Sequence, residues 1–217
     1  MITSESTEMY LKTILELSSG EQPVAISRVA ERWGVTAVSA NEMVKRLAEH
    51  KLAVHQPYKG VSLTETGQRR AISVLRRHRL WERLLVDHLG IDWAEAHDAA
   101  CQLEHATAES ITEALNEFLG HPQTCPHGNP IPASDNAIDE PETRPLNTLE
   151  IGQHGTIVSI HPEETPLLVY LASHGIFPQL TVAIEEIAPL DGPLTVRVGD
   201  QQAIIGQEAA SRVHVTI

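Results

Sequence analysis

His97, Cys101, Glu104 and His105 fall within a single short run, and His78 and Glu82 stand one helical turn apart upstream. Wound as a helix at about 100° per residue, with Ala96 as zero, the first four point to roughly 100°, 140°, 80° and 180°. They share one face, and Ala96, Ala99, Ala100 and Leu103 supply a separate apolar seam. His78 and Glu82 stack in the same way on the preceding helix. A lone His or Glu on a helix is ordinarily solvated, and a lone Cys is ordinarily a small core residue. Six residues of ligand type on two ordered stripes outweigh that reading. Imidazole, thiolate and carboxylate donors together suit Fe(II), Mn(II), Co(II) or Ni(II) as well as zinc, whereas structural zinc favours closely spaced Cys pairs. The sequence has no CxxC. Cys125 and His127 are further residues of ligand type, but PHGNPIP reads as a structural turn.

The elements that position these residues are mostly helical. A first helix is expected from Thr7 to Ser18 behind Ser6 or Thr7, stopped by Gly20. Ile26, Val29, Ala30 and Trp33 mark a short helix opened near Ser27 and closed by Gly34, and Thr36 caps another running to about His50. Ala40, Met43, Val44 and Leu47 give that helix its apolar face. AVHQ, PYKG and VSL then read as strand, turn and strand, completing a winged helix-turn-helix. Thr36, Ser39, Asn41 and Glu42 near the recognition-helix start are placed to meet base edges. Lys45, Arg46, Lys51 and Lys59 are placed to meet phosphates. A long helix is expected from Thr64 to about Leu89, and a second from roughly Trp93 to Leu119. Residues 120–132 are rich in Pro and Gly, and residues 133–145 read as an acidic linker. Short runs such as GTIVSI, LTVAIEEI, LTVRV, QAIIG and RVHVTI follow, the pattern of a small, barrel-like β domain.

Charge follows the same division. Over the whole 217 residues the net charge is -13, which on its face opposes a nucleic-acid partner. Residues 1–83, however, hold 13 of the 16 basic residues against 9 acidic ones, net +4, while residues 84–217 hold 3 against 20, net -17. Such asymmetry points to a basic binding region joined to an acidic remainder. The N-terminus has neither a basic region nor an apolar signal stretch, and there is no apolar run long enough to span a membrane. A cytoplasmic protein with no membrane association is therefore expected.

With TEMYLKTI, RRHRLWERLL, EAHDAACQLEH and PHGNPIP, the chain resembles the diphtheria-toxin repressor family of iron-dependent and manganese-dependent transcriptional repressors, nearly end to end. The resemblance implies a homodimer. It also implies a mainly α winged helix-turn-helix domain at residues 1–72, a helical dimerisation and metal-binding domain at 73–140, a linker at 141–147, and an all-β SH3-like domain at 148–217. Carried over residue by residue, it implies one metal site from Met9, Cys101, Glu104 and His105. A second would come from His78, Glu82 and His97, joined by Glu163, ranked above Glu164, from the SH3-like domain. The family's usual glutamine partner is replaced near Pro166.

The sulfur donors Met9 and Cys101 favour Fe(II) over the harder Mn(II), which is the alternative; Co(II), Ni(II) or Zn(II) would also bind in vitro. The function implied is a metal-activated repressor of metal-homeostasis genes acting on palindromic double-stranded DNA operators. Ion binding would favour the state that DNA also favours. Dimerisation is assigned to apolar surface around Trp93, Leu103, Ile111, Leu115 and Phe118, for each of which intramolecular packing is an equal reading. No catalytic residues are expected. A metalloenzyme is the competing class, since such donors also activate water, but the sequence lacks a Ser-His-Asp ordering and a phosphate-binding Gly-rich loop. A metal buffer would leave the basic winged helix without a purpose.

Overall fold

The computed structural model describes residues 4–18 and 23–217. The chain divides into two compact units, residues 1–77 with 132–137 and residues 78–131 with 138–217. In the first unit, α1 (Glu5–Leu17) starts earlier than expected, because Ser4 has the extended backbone of an N-cap and its hydroxyl accepts from the Thr7 amide. That start places Glu5 and Glu8 in the first turn, where a helix favours negative charge. Gly20, the expected stop, lies outside the described residues.

α2 (Ile26–Arg32) and α3 (Ala37–Glu49) form the helix-turn-helix. The turn places Gly34 at φ +59, a left-handed conformation that suits glycine. Thr36 Oγ1 caps α3 by accepting from the Ser39 amide at 3.1 Å, as expected. The apolar face of α3, Ala40, Met43, Val44 and Leu47, is buried. Leu11, Ile14, Val29, Val44 and Leu47 pack with Val24, Leu52 and Val61 into one core. Each fully buried aliphatic side chain of this kind contributes about 1.5–3 kcal/mol.

The wing pairs β1 (Ala53–Gln56) with β2 (Gly60–Leu63) in antiparallel register, Ala53 opposite Leu63 and Gln56 opposite Gly60. At its root, Val24 bridges to Val61. A Cβ on Gly60 would lie 2.1 Å from the Val24 carbonyl oxygen, so that close approach requires glycine. α4 (Glu65–Asp87) follows, and its first half is held to α1 by the ion pair of Arg77 Nη2 with Glu8 Oε2 at 3.0 Å.

In the second unit, the single helix expected between Trp93 and Leu119 is instead three pieces: α5 (Ala96–Leu103), a 3₁₀ turn (Glu104–Ala106) and α6 (Glu109–Phe118). Thr107 causes the break. It adopts an extended backbone, its hydroxyl donates to the Leu103 carbonyl at 2.8 Å, and the same oxygen accepts from Trp81 Nε1 at 2.7 Å. Glu104 keeps a helical backbone, its amide donating to the Ala100 carbonyl, and its side chain meets His78, which Cys101 and His97 also approach.

The C-terminal part is a six-stranded antiparallel sheet of β3 (Arg144–Pro145), β4 (His154–Ile160), β5 (Thr181–Ile187), β6 (Leu194–Val198), β7 (Gln201–Ile205) and β8 (Val213–Thr216), in the spatial order β3-β8-β4-β5-β6-β7. Register shifts interrupt the β4–β8 and β5–β6 pairings, the kind of irregularity that bends a small barrel-like sheet. Its core includes Leu146, Ile157, Ile160, Val182, Ile184 and Val196. Two helices not expected from sequence, α7 (Thr165–Ser173) and α8 (Gln207–Ser211), bury Leu168, Leu171 and Ala210 against that core. Pro166 occupies the first turn of α7, where its missing N–H costs nothing. No described helix is long and apolar enough to cross a membrane.

Candidate metal centre

Four segments of the second unit converge. α4 contributes His78 and Glu82, both fully buried, and α5 contributes His97 and Cys101, one turn apart. The 3₁₀ turn contributes Glu104, buried, and His105. The loop between β4 and α7 contributes Glu163, buried, whereas Glu164 faces solvent.

His78 joins the two ligand groups that the sequence suggested. Its Nδ1 donates to Glu104 Oε2 at 2.6 Å, and its Nε2 lies 2.9 Å from Glu82 Oε1 and 3.1 Å from His97 Nδ1. His97 Nδ1 lies 3.3 Å from Glu82 Oε1 and 3.6 Å from Glu163 Oε2. His78, Glu82, His97 and Glu163 therefore each offer a ligand atom within 4.8 Å of the others. Cys101 Sγ stands 3.9 Å from His78 Nδ1 and 3.8 Å from His97 Nε2, so the structure groups it with these two histidines. Glu104 Oε1 contacts His105 Nε2 at 3.2 Å. Met9 lies on α1 in the first unit, half-buried.

Sequence reasoning missed the side chains of one segment. The turn expected in PHGNPIP is present: the Cys125 amide donates to the Asn129 carbonyl at 2.8 Å and the Gly128 amide to the Cys125 carbonyl at 2.9 Å. Gly128 has φ +85, and a Cβ there would lie 1.9 Å from the Val158 carbonyl oxygen. The loop is fastened to β4 by the Ile160 amide donating to the His127 carbonyl at 3.0 Å and by Asn129 Nδ2 donating to the Ile160 carbonyl at 2.8 Å. So held, the turn directs two buried donors at the acids. His127 Nδ1 is 3.3 Å from Glu82 Oε1, and Cys125 Sγ donates to Glu163 Oε1 at 3.3 Å. Asn129 Nδ2 also donates to Glu163 Oε1. Glu82, Cys125, His127 and Glu163 form a second buried group of possible ligands within the same 4.8 Å span. The signal available in sequence was a thiol and an imidazole two residues apart in a rigid turn.

Electrostatics show why these groups tolerate one another. Burial pushes the Glu82 carboxyl up, but His78 and His127 facing it outweigh burial and hold it well below the usual carboxylate range. Glu163 is likewise pushed up by burial and by Glu82, and drawn well below that range by His78 and His97. Burial pushes the His97 imidazole down, and its contacts with Cys101, Glu163 and Glu82 raise it to about 11. Burial, reinforced by Glu163 and Glu82, pushes the Cys125 thiol well up.

A divalent ion fits these residues. Glu82 Oε2 is buried with no hydrogen-bond partner, and the donors combine nitrogen, oxygen and sulfur around acids that would neutralise a 2+ charge. His127 donates its Nε2–H to the Trp93 carbonyl at 2.9 Å, leaving Nδ1 for the cluster, the orientation typical of a metal-ligating histidine.

The surfaces differ in kind. On α3, Thr36, Ser39, Glu42, Lys45 and Arg46 are exposed and Asn41 is half-buried, while Lys51 and Lys59 are exposed on either side of the wing. Lys45 Nζ pairs with Glu42 Oε1 at 2.7 Å, which divides these two between a surface ion pair and outward contact. Among the apolar residues assigned to dimerisation, Ile111 and Phe118 are exposed, whereas Leu115 is buried beside Leu80 and Ile131. Trp93 packs on the sheet core and Leu103 on Leu85, Ala96 and Ala100, so for these three the intramolecular reading accounts for the packing.

Family models match along the chain. The iron dependent repressor N-terminal DNA binding domain matches residues 2–61, the iron dependent repressor metal binding and dimerisation domain residues 64–133, and the FeoA domain residues 144–217. The iron-dependent repressor IdeR of Mycobacterium tuberculosis is 32% identical over 97% of this chain and 96% of its own. The diphtheria toxin repressor of Corynebacterium diphtheriae is 37% identical over 60% of this chain and 58% of its own. Among solved structures, a manganese-dependent transcriptional repressor in complex with manganese superposes with a TM-score of 0.89 at 34% identity, covering 97% of this chain and 99% of that one. With its winged helix, its helical donor-bearing region and its C-terminal β domain each matched, the chain belongs to the diphtheria-toxin repressor family of metal-dependent transcriptional repressors.

Proposed function

We infer that the protein is a repressor that Fe(II) activates to bind palindromic operators of metal-homeostasis genes as a homodimer, without catalysing a reaction. The observation that carries this reading is the buried network centred on His78, whose two ring nitrogens reach Glu104 and Glu82. On the resemblance, Met9, Cys101, Glu104 and His105 hold one ion; among the described residues no group of three or more donors within 4.8 Å contains Cys101 with Glu104 or His105. His78, Glu82, His97 and Glu163 hold a second. A bound ion would take over from the imidazoles the positive charge that faces these acids and would supply the charge a Cys101 thiolate needs there. α3 presents Thr36, Ser39, Asn41 and Glu42 to bases, while Arg46, Lys45 and Lys59 meet phosphates. The two α3 helices of a dimer then occupy successive major grooves. Ile111 and Phe118, exposed on α6, belong to the dimer surface. The division at residues 72, 140 and 147 is kept as the domain boundaries, and the protein is placed in the cytoplasm.

Sulfur at Met9 and Cys101 favours Fe(II) over Mn(II). The carboxylates Glu82, Glu104 and Glu163, with the likeness to a manganese-dependent repressor, favour the second reading, a Mn(II)-responsive repressor of manganese transport genes. Anaerobic fluorescence anisotropy on DNA from the gene's own upstream region, titrated with Fe(II), Mn(II) or chelator at fixed salt, decides between them. Binding that appears at lower Fe(II) than Mn(II) supports iron, and the reverse order supports manganese. Binding indifferent to chelator overturns both. Cys101→Ala is expected to abolish metal-stimulated operator binding and leave the far-ultraviolet dichroism intact; unchanged activation removes Cys101 from the ligand set.

A further inference from the structure

The two donor groups in the second unit share their acids. Glu82 and Glu163 belong both to the group with His78 and His97 and to the group with Cys125 and His127. Glu163 divides its oxygens between them. Oε2 faces His78 at 3.7 Å and His97 at 3.6 Å, while Oε1 faces Cys125 at 3.3 Å and His127 at 3.9 Å. Glu82 Oε1 sits between His78 Nε2 at 2.9 Å and His127 Nδ1 at 3.3 Å, and its Oε2 is the buried oxygen without a partner. A buried charged acceptor left unmet gives up its hydration with nothing in return.

One ion does not serve both histidine pairs. With metal–donor distances of about 2.0–2.3 Å, two ligands of the same ion lie no more than about 4.6 Å apart. Among the described residues, no group within 4.8 Å includes both His97 and His127. Two carboxylates that each reach toward both pairs match the geometry of a bridged pair, in which ions stand about 3.5–4 Å apart.

We propose that Glu82 and Glu163 bridge two divalent ions in this cluster, one held by His78 and His97 and the other by Cys125 and His127. The proposal rests on the metal-dependent reading above and adds a third ion per chain, beyond the one assigned to Cys101, Glu104 and His105. Cys125 enters the second position as a thiolate, giving its proton to solvent as the ion binds, and no electron is transferred. His127 is oriented for that position by the Trp93 carbonyl and Asn129 steadies the bridging Oε1.

The test uses the full chain, stripped with chelator and reloaded anaerobically with Mn(II), counted by elemental analysis after gel filtration and examined by electron paramagnetic resonance. The expected result is three Mn(II) per chain with an exchange-coupled signal from the bridged pair. His127→Gln and Cys125→Ser are expected to lose one ion and the coupling, His97→Gln to lose the other ion, and the His97→Gln, His127→Gln double variant to lose both. Two Mn(II) per chain with no exchange-coupled signal in the unaltered protein overturns the proposal, and that measurement depends on no variant folding. So does a double variant that loses no more metal than either single one. If the loaded protein binds its upstream DNA better than the stripped protein while the count is two, the pair is wrong and the repressor reading stands. If loading leaves DNA binding unchanged, the repressor reading itself fails.

Discussion

The α3 face proposed to read DNA and the donor cluster are built at opposite ends of a scale of locality. Thr36 to Arg46 lie on or beside one helix and reach solvent from its outer face, and Lys59 follows in the next hairpin. A single apolar stripe fixes which residues face outward. The cluster instead draws on α4, α5, a turn and loop at residues 104–131, and a loop beyond β4; His78, Glu82, Glu104, Cys125, His127 and Glu163 are buried and His97, Cys101 and His105 half-buried. A surface built from one helix tolerates local error, whereas a buried cluster built from four segments fails if any one is displaced.

Glycine positions expose that contrast most sharply. Gly128→Ala must combine a left-handed φ of +85 with a Cβ 1.9 Å from the Val158 carbonyl oxygen, so the loop carrying Cys125 and His127 has to leave β4. The expected loss is at least about 3 kcal/mol of stability together with the cluster's metal affinity. Gly34→Ala meets nothing within 4 Å at φ +59 and bears only the conformational cost, about 1 kcal/mol. Thermal unfolding of both variants checks this, and equal losses would mean that the loop is not held as tightly as its contacts imply.

Glu82→Gln is next in size. The amide keeps the volume and removes the charge faced by His78, His97 and His127. Metal affinity of the cluster is expected to fall at least about 100-fold by competition titration, since ligand-shell changes of this kind reach that range. A change below about threefold would remove Glu82 from the ligand set. The basic surface on α3 should be unaffected, so residual non-specific DNA binding at low salt is expected to persist.

How much of this was legible in the sequence follows the same scale. α3, its Thr36 cap and its exposed residues were readable because cap, period and face are all set within fourteen residues, Thr36 to Glu49. Spacing also stacked His78 on Glu82 one turn apart on α4. It ran one helix through Thr107, because the side chain that closes the 3₁₀ turn there is itself recruited by Trp81 across the fold. It failed again at Cys125 and His127. Turn chemistry explains their backbone, and only the packing of that turn on β4 shows that the side chains point at Glu82 and Glu163. The sheet helices α7 and α8 escaped notice because nine and five residues leave little periodicity to detect.

Protons distinguish the two regions as well. His97 is raised to about 11 from an ordinary 6.5, so the stability it lends the ion-free form is complete below pH 6.5 and is lost as pH rises toward 11. Glu82 and Glu163 are depressed, so theirs is present above about 4.5 and is lost as pH falls below that. For these groups the ion-free second unit is most stable between about pH 4.5 and 6.5. An ion held by His97 would displace its proton, so affinity is expected to rise about tenfold per pH unit for each proton released. Chelated protein should therefore show its highest unfolding temperature near pH 5–6, while the increment added by Mn(II) grows toward pH 8. An increment that shrinks with rising pH would show that the imidazoles are not ligands.

The smallest effect belongs to the exposed surface. Arg46 lies on the solvent side of α3 beside Lys45, which is already paired with Glu42. If Arg46 meets a phosphate, Arg46→Ala weakens binding by a similar factor on operator and unrelated DNA, and the slope of log affinity against log salt falls by about 1. Metal stoichiometry stays the same, because Arg46 is exposed and offers no ligand to any donor group. A loss confined to the operator, with the salt slope unchanged, would instead make Arg46 a reader of base edges. In that case the α3 surface would carry specificity one turn beyond Glu42, and the segment assigned to base recognition would have to be extended to Arg46.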